Sequence, residues 1–154
     1  MIIVATKKSE KTAQRIIDST LEMVEKKGWE QVSFTNLSQS TGISRSGITR
    51  LFPYRKDLFK LVCTQIPIVI DDVIDFTNEE TIWESWIIAM KSDEKFINYM
   101  NAILVAQFRE ESREGMKNFV SLFEGRTADL SLESELIYCL LGKFVLFHSI
   151  DNYS

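Results

Sequence analysis

The sequence predicts an all-α protein: a three-helix head built around a helix-turn-helix, followed by a small helical body. Three observations carry this expectation. Apolar residues recur at three- and four-residue intervals through most of the chain, the stripe of amphipathic helices. Among 154 residues only 6 are Gly and 2 Pro, and alternating apolar runs that would mark strands are few. A glycine turn, Gly42-Ile43-Ser44, lies between two short helical patterns. A hydrophobic fraction of 45% is enough for a buried core and excludes a disordered composition.

The first helix is expected over 9–27, with Ser9 as its cap and Ala13, Ile16, Ile17, Leu21 and Val24 as its buried stripe. Gly28 and Trp29 end it, and Lys7, Lys8 and Lys11 are expected in a disordered basic arm. Ser33 caps a second helix that runs through Phe34, Leu37 and Ser38 to Thr41. Gly42 then permits a sharp turn, because without a Cβ it enters positive φ freely. Ile43 plugs the turn onto a core, and Ser44 caps a third helix. In that helix Ile48, Leu51 and Phe52 point inward, leaving Arg45, Ser46, Thr49 and Arg50 outside. Such side chains reach base edges and phosphates in a DNA major groove.

Pro53 precedes a fourth helix that opens near Arg55 and continues through Leu58, Phe59, Val62 and Ile66. Pro67 either kinks or splits this helix or begins the first turn of a new one. Further helices are expected over 81–91 and 93–111, with a shorter one through Met116, Phe119, Val120 and Phe123. A loop is expected over 125–131 and a last helix over 132–150. That last helix is apolar almost all round, with Lys143 nearly alone on its polar side, so it needs cover on every face. It is the candidate for a two-fold interface through Leu136, Leu140, Phe144 and Phe147. The alternative is a fully buried central helix in a monomer.

Over 10–62 the chain resembles the tetracycline-repressor (TetR) family of transcriptional regulators. The resemblance rests on Arg15-Ile16-Ile17, on Gly28-Trp29, and on Leu37-Ser38-x-x-Thr41-Gly42-Ile43-Ser44. It continues in Leu51-Phe52-Pro53-x-Arg55-x-x-Leu58-Phe59. Departures are Leu37-Ser38 for isoleucine-alanine, Thr49 for a tyrosine and Arg55 for a lysine. The resemblance implies a DNA-binding domain over 9–56 and a ligand-binding and dimerisation domain over 57–154. It also implies a homodimer that reads a palindromic operator, with two recognition helices about 34 Å apart in successive major grooves. Arg45 and Arg50 are the expected base readers, since arginine pairs bidentately with guanine. Ser46, Gly47 and Thr49 match positions where the family often touches bases or backbone, and the cap Ser44 is expected in the DNA-binding set beside them. Ser33, Thr35, Tyr54, Arg55 and Lys56 are expected to hold phosphates, so that Arg55→Ala weakens all sequences alike.

Charge supports the same division. Residues 1–60 hold 11 Lys+Arg and 6 Asp+Glu, and the remainder 7 and 16, so a basic head sits on an acidic body. Basic groups on the head displace counterions from DNA, while the body repels the duplex. Of the 17 aromatic residues, 12 follow residue 60. Trp83, Trp86, Phe96, Tyr99, Met100, Phe108, Phe119 and Phe123 are the expected lining of a pocket for a small apolar or aromatic effector. Core packing is the competing reading for each. The expected behaviour is that of a repressor released by its effector; the alternative is a body that binds a protein partner or only dimerises. With one histidine, no phosphate-binding glycine loop and no nucleophile–base pair at usable spacing, an enzyme is not expected. No cofactor or metal site is expected either. Cys63 and Cys139 lack metal spacing and are expected as buried thiols, a redox pair being the alternative. The apolar stretch 1–5 is too short for a signal peptide and no apolar run spans a membrane, so a cytoplasmic location is expected.

Overall fold

A computed structural model describes residues 6–105, 112–132 and 135–150. The described residues form eight α-helices and one 3-10 turn, without a strand. The fold is all-α. Helix α1 spans Lys7–Lys27, the 3-10 turn Trp29–Gln31, α2 Phe34–Thr41 and α3 Arg45–Leu51. The body follows with α4 Arg55–Val73, α5 Glu79–Ser92, α6 Glu94–Val105, α7 Ser112–Thr127 and α8 Leu136–Ile150. No described helix is long and apolar enough to cross a membrane.

Several boundaries differ from expectation for identifiable reasons. Helix α1 begins before Ser9 because Thr6 is its cap, its hydroxyl accepting from Ser9 N at 3.2 Å. Lys7, Lys8 and Lys11 therefore belong to an ordered helix and not to a disordered arm. Helix α4 runs unbroken past Pro67, so Pro67 neither splits the helix nor begins a new one. The ring removes the donor that Cys63 O would otherwise meet, and buried Ile66, Val69 and Ile70 hold the helix together around it. The expected loop over 125–131 starts later, because α7 gains a final turn. There Arg126 Nε donates to Asp71 Oδ1 of α4 at 2.8 Å, and Thr127 Oγ1 donates to Phe123 O at 2.8 Å. Of the helix expected over 93–111, the part to Val105 is observed, and 106–111 lies outside the described residues.

One hydrophobic cluster threads the molecule. It joins Ile16, Val24, Leu37 and Ile48 of the head to Phe59, Val62, Phe96, Ile103, Phe119, Leu140 and Phe144 of the body. Each such side chain contributes about 1.5–3 kcal/mol by leaving water. The cluster is continuous across the expected boundary at 56/57, where α1 packs on both α4 and α6. The head is thus seated on the body through side chains as well as through the α3–α4 connection. Asn98 Nδ2 on α6 donates to Glu25 O at 2.8 Å, and Lys95 pairs with the Glu25 carboxylate at 3.1 Å.

Candidate nucleic-acid interface

Local chemistry builds the α2–α3 corner. Ser33 Oγ accepts from Asn36 N at 3.0 Å to start α2. Gly42 ends it with φ +72°, in the left-handed region, and donates its N–H to Ser38 O at 2.9 Å. The Thr41 hydroxyl accepts from Ile43 N at 3.2 Å and donates to Leu37 O at 2.6 Å, so one side chain ties both sides of the turn. Arg15 of α1 donates to Thr41 O, and Ser19 meets Ser40 Oγ to Oγ at 2.6 Å. Ser44 Oγ then accepts from Gly47 N at 3.1 Å and opens α3. A Cβ on Gly47 would lie 3.0 Å from Ile43 Cγ2, which gives that position a packing reason for being small. Sequence reasoning missed the Arg15 and Ser19 contacts, because nothing local marks a partner so far along the chain.

The corner presents its polar residues outward. Ile48 is buried, while Arg45, Ser46 and Arg50 on the other side of α3 are exposed and Thr49 is half-buried. Ser44 and Ser46 Oγ atoms stand 3.2 Å apart, and Thr49 Oγ1 leans 3.4 Å from Ser46 O. On α2, Thr35 is exposed and Ser33 half-buried in its capping role. At the start of α4, Tyr54 and Lys56 are exposed with the ammonium 5.2 Å from the ring centre. Asp57 Oδ2 accepts from Tyr54 N at 2.9 Å, fixing this corner.

Arg55 is half-buried and engaged with the segment that joins α1 to α2. Its Nε donates to Val32 O at 3.1 Å and its Nη2 to Trp29 O at 3.0 Å. The guanidinium carbon lies 4.2 Å from the centre of the Trp29 ring. The side chain is turned into the head and is not displayed beside Lys56.

The residues expected to line an effector pocket divide differently. Trp86, Phe96, Tyr99, Met100, Phe119 and Phe123 are buried, Trp83 is half-buried, and Phe108 lies outside the described residues. Trp86 meets Phe96 edge to face at 5.2 Å, Phe96 meets Phe144 at 6.1 Å, and Phe119 lies 6.1 Å from both Trp86 and Phe123. These rings fill the core against one another. Within that core Trp86 Nε1 and the Tyr99 hydroxyl have no hydrogen-bond partner among the described residues. Burial, with a smaller contribution from Glu25, pushes the Tyr99 hydroxyl well above its ordinary pKa, so it stays protonated. His148 Nε2 lies 3.0 Å from Met90 O and packs its ring 4.5 Å from Phe144, tying α8 to the end of α5.

The residues expected at a two-fold interface lie on the side of α8 that the chain itself covers. Leu136, Leu140 and Phe144 are buried within the chain and Phe147 is half-buried against the same core. The helix places them on α5 and the aromatic cluster, leaving the opposite side bare. Tyr138 is 72% exposed, Val145 42%, Leu146 61% and Ile150 67%. Nor is α8 a fully buried central helix. Cys139 is on the exposed side, contrary to the expectation of a buried thiol, while Cys63 is buried, and both are free.

No family model matches the chain, and no curated protein does.

Proposed function

We propose that the chain is a DNA-binding transcriptional regulator of the tetracycline-repressor type, working in the cytoplasm as a homodimer on a palindromic operator. The observation that carries the reading is the α3 surface. Arg45, Ser46 and Arg50 stand exposed on a short helix that a capped, cross-tied turn holds to the basic half of the chain. In this reading Arg45 and Arg50 read bases, while Thr35, Tyr54 and Lys56 set register on phosphates. The bare apolar side of α8 supports a self-complementary interface, since a two-fold axis lets one patch cover itself. Selection of bound sequences from a random duplex pool at near-physiological salt tests the reading. An inverted repeat is the expected product; weak, salt-sensitive binding without a motif would refute it.

In the same reading the protein is a repressor that a small apolar or aromatic effector releases. The unpartnered Trp86 Nε1 and Tyr99 hydroxyl favour an effector, because each leaves about 1–3 kcal/mol that a ligand group can recover. The second reading is a body that only dimerises or binds a protein partner. The ring-on-ring packing of Trp86, Phe96, Phe119 and Phe144 favours it. Thermal melting against a panel of small aromatic compounds separates the two. A ligand that binds the folded state raises the midpoint, and a panel that moves nothing selects the second reading.

A further inference from the structure

We propose that Arg55 is a positioning residue for DNA recognition, locking the head onto the first turn of α4 and so setting the attitude of α3, and that it holds no phosphate. The inference rests on the DNA-binding reading above. Arginine suits a phosphate through the planar fork of its donors. Here that fork bridges two main-chain carbonyls, Trp29 O at the start of the 3-10 turn and Val32 O just past its end. The same guanidinium lies over the Trp29 ring, and Trp29 meets Phe59 of α4 edge to face at 5.0 Å. Trp29 and Val32 are themselves buried in the core. One side chain therefore binds the segment joining α1 to α2 by two hydrogen bonds and a stack, and Phe59 seals the contact from the next turn.

The consequence runs along the chain. Val32 leads into Ser33, the cap of α2, and α2 carries α3 through the cross-tied Gly42 turn. Moving the Arg55 anchor moves α2 and α3 together relative to the body. Attraction to phosphates tolerates such looseness, because it acts over several ångströms. Bidentate pairing with a base edge does not. Lysine keeps the charge at position 55 but gathers its three donors on one compact nitrogen, without the planar face that stacks on an indole while its edge bridges two carbonyls.

The test uses the full chain with Arg55→Lys, Arg55→Ala and Lys56→Ala, each titrated across a salt series on the selected operator and on random duplex. Both Arg55 variants are expected to weaken the operator about tenfold and random duplex by less than about twofold, leaving the salt slope unchanged. Lys56→Ala is expected to weaken both duplexes alike and lower the slope by about one. Retained random-duplex affinity shows that each variant has a folded head. Wild-type discrimination by Arg55→Lys, or an equal loss on both duplexes with a reduced slope in Arg55→Ala, overturns the inference and makes Arg55 a phosphate ligand. Failure of the DNA reading shows separately and earlier, as a wild-type chain that does not discriminate between the duplexes.

Discussion

Arg45 and Arg55 look alike in sequence and have opposite surroundings in the fold. Arg45 is exposed at the first position of α3, whereas Arg55, at the first position of α4, is folded back over Trp29. Replacing Arg45 by Ala should cost about 1–3 kcal/mol on the operator and relax the preference at one base pair. Fluorescence titration against single-site operator variants checks this; an equal loss on every variant would make Arg45 a phosphate contact. The two cysteines differ just as sharply. Burial, helped by the nearby Glu114, pushes the Cys63 thiol up to about 11 from an ordinary 9.0. The native state therefore holds this proton when the unfolded chain has released it. Its contribution to stability is complete below about pH 9 and declines as the pH rises toward 11. The urea midpoint of wild type should fall more steeply across that window than that of Cys63→Ala. Parallel profiles would show the thiol to be more open to solvent than the fold indicates. Below that window, a thiol reagent should label exposed Cys139 at once and Cys63 only on opening.

At the scale of the element, helix identity follows from periodicity and helix ends follow from neighbours. The stripe through Ile16 and Val24 makes α1 a helix, but Thr6 and not Ser9 decides where it starts. Helix α7 outlasts its apolar pattern because Arg126 reaches Asp71 on α4. That pairing, chiefly through its hydrogen bonds, holds the Asp71 carboxyl below the usual carboxylate range. The tie is present above the ordinary carboxylate pKa and is lost as the pH falls through the lowered one. Helix α7 lies close against its neighbours at Gly115. A Cβ there would stand 2.7 Å from Ile103 Cγ2, 3.3 Å from Phe59 Cε1 and 3.4 Å from Cys63 Sγ. Alanine is the better helix former by about 1 kcal/mol, yet the branched Ile103 side chain has little freedom to move aside. Overpacking of this kind costs about 1–3 kcal/mol, so Gly115→Ala should be net destabilising. A urea midpoint that rises instead would show that α7 can lift from α6 without loss.

For the whole molecule, the two sides of α8 make separable predictions. Phe144 lies in the aromatic core, and Phe144→Ala should cost about 3–5 kcal/mol of folding stability. Leu146 lies on the bare side, and Leu146→Lys should leave the melting temperature of the isolated protomer fold little changed while converting the proposed homodimer to monomers. Sedimentation velocity at micromolar concentration reads the second effect directly. A Leu146→Lys protein that stays dimeric would move the interface elsewhere. The core is continuous from Leu37 to Phe144, so in the proposed regulator a head seated on α4 and α6 shares its packing with the body. A ligand that prefers one arrangement of that packing can then bias the other end.

By itself the sequence determined the all-α class, the succession of α2, glycine turn and α3, and the exposure of Arg45, Ser46 and Arg50 on α3, though not the half-burial of Thr49. Those are local matters, settled by 3.6-residue periodicity, by hydroxyl caps and by a glycine that must take positive φ. It also marked α8 as a helix too apolar to be left uncovered. Only the tertiary structure decided which side of α8 is covered, because a helix apolar all round carries no periodic signal to orient it. Only the tertiary structure turned Arg55 inward, since the carbonyls of Trp29 and Val32 that receive it carry no signature of their own and lie far back along the chain. The aromatic residues of the body were legible as apolar, and their assignment to core over pocket waited on which rings met. A periodic pattern records what a residue does within its own helix, and the partner across the core is supplied by packing.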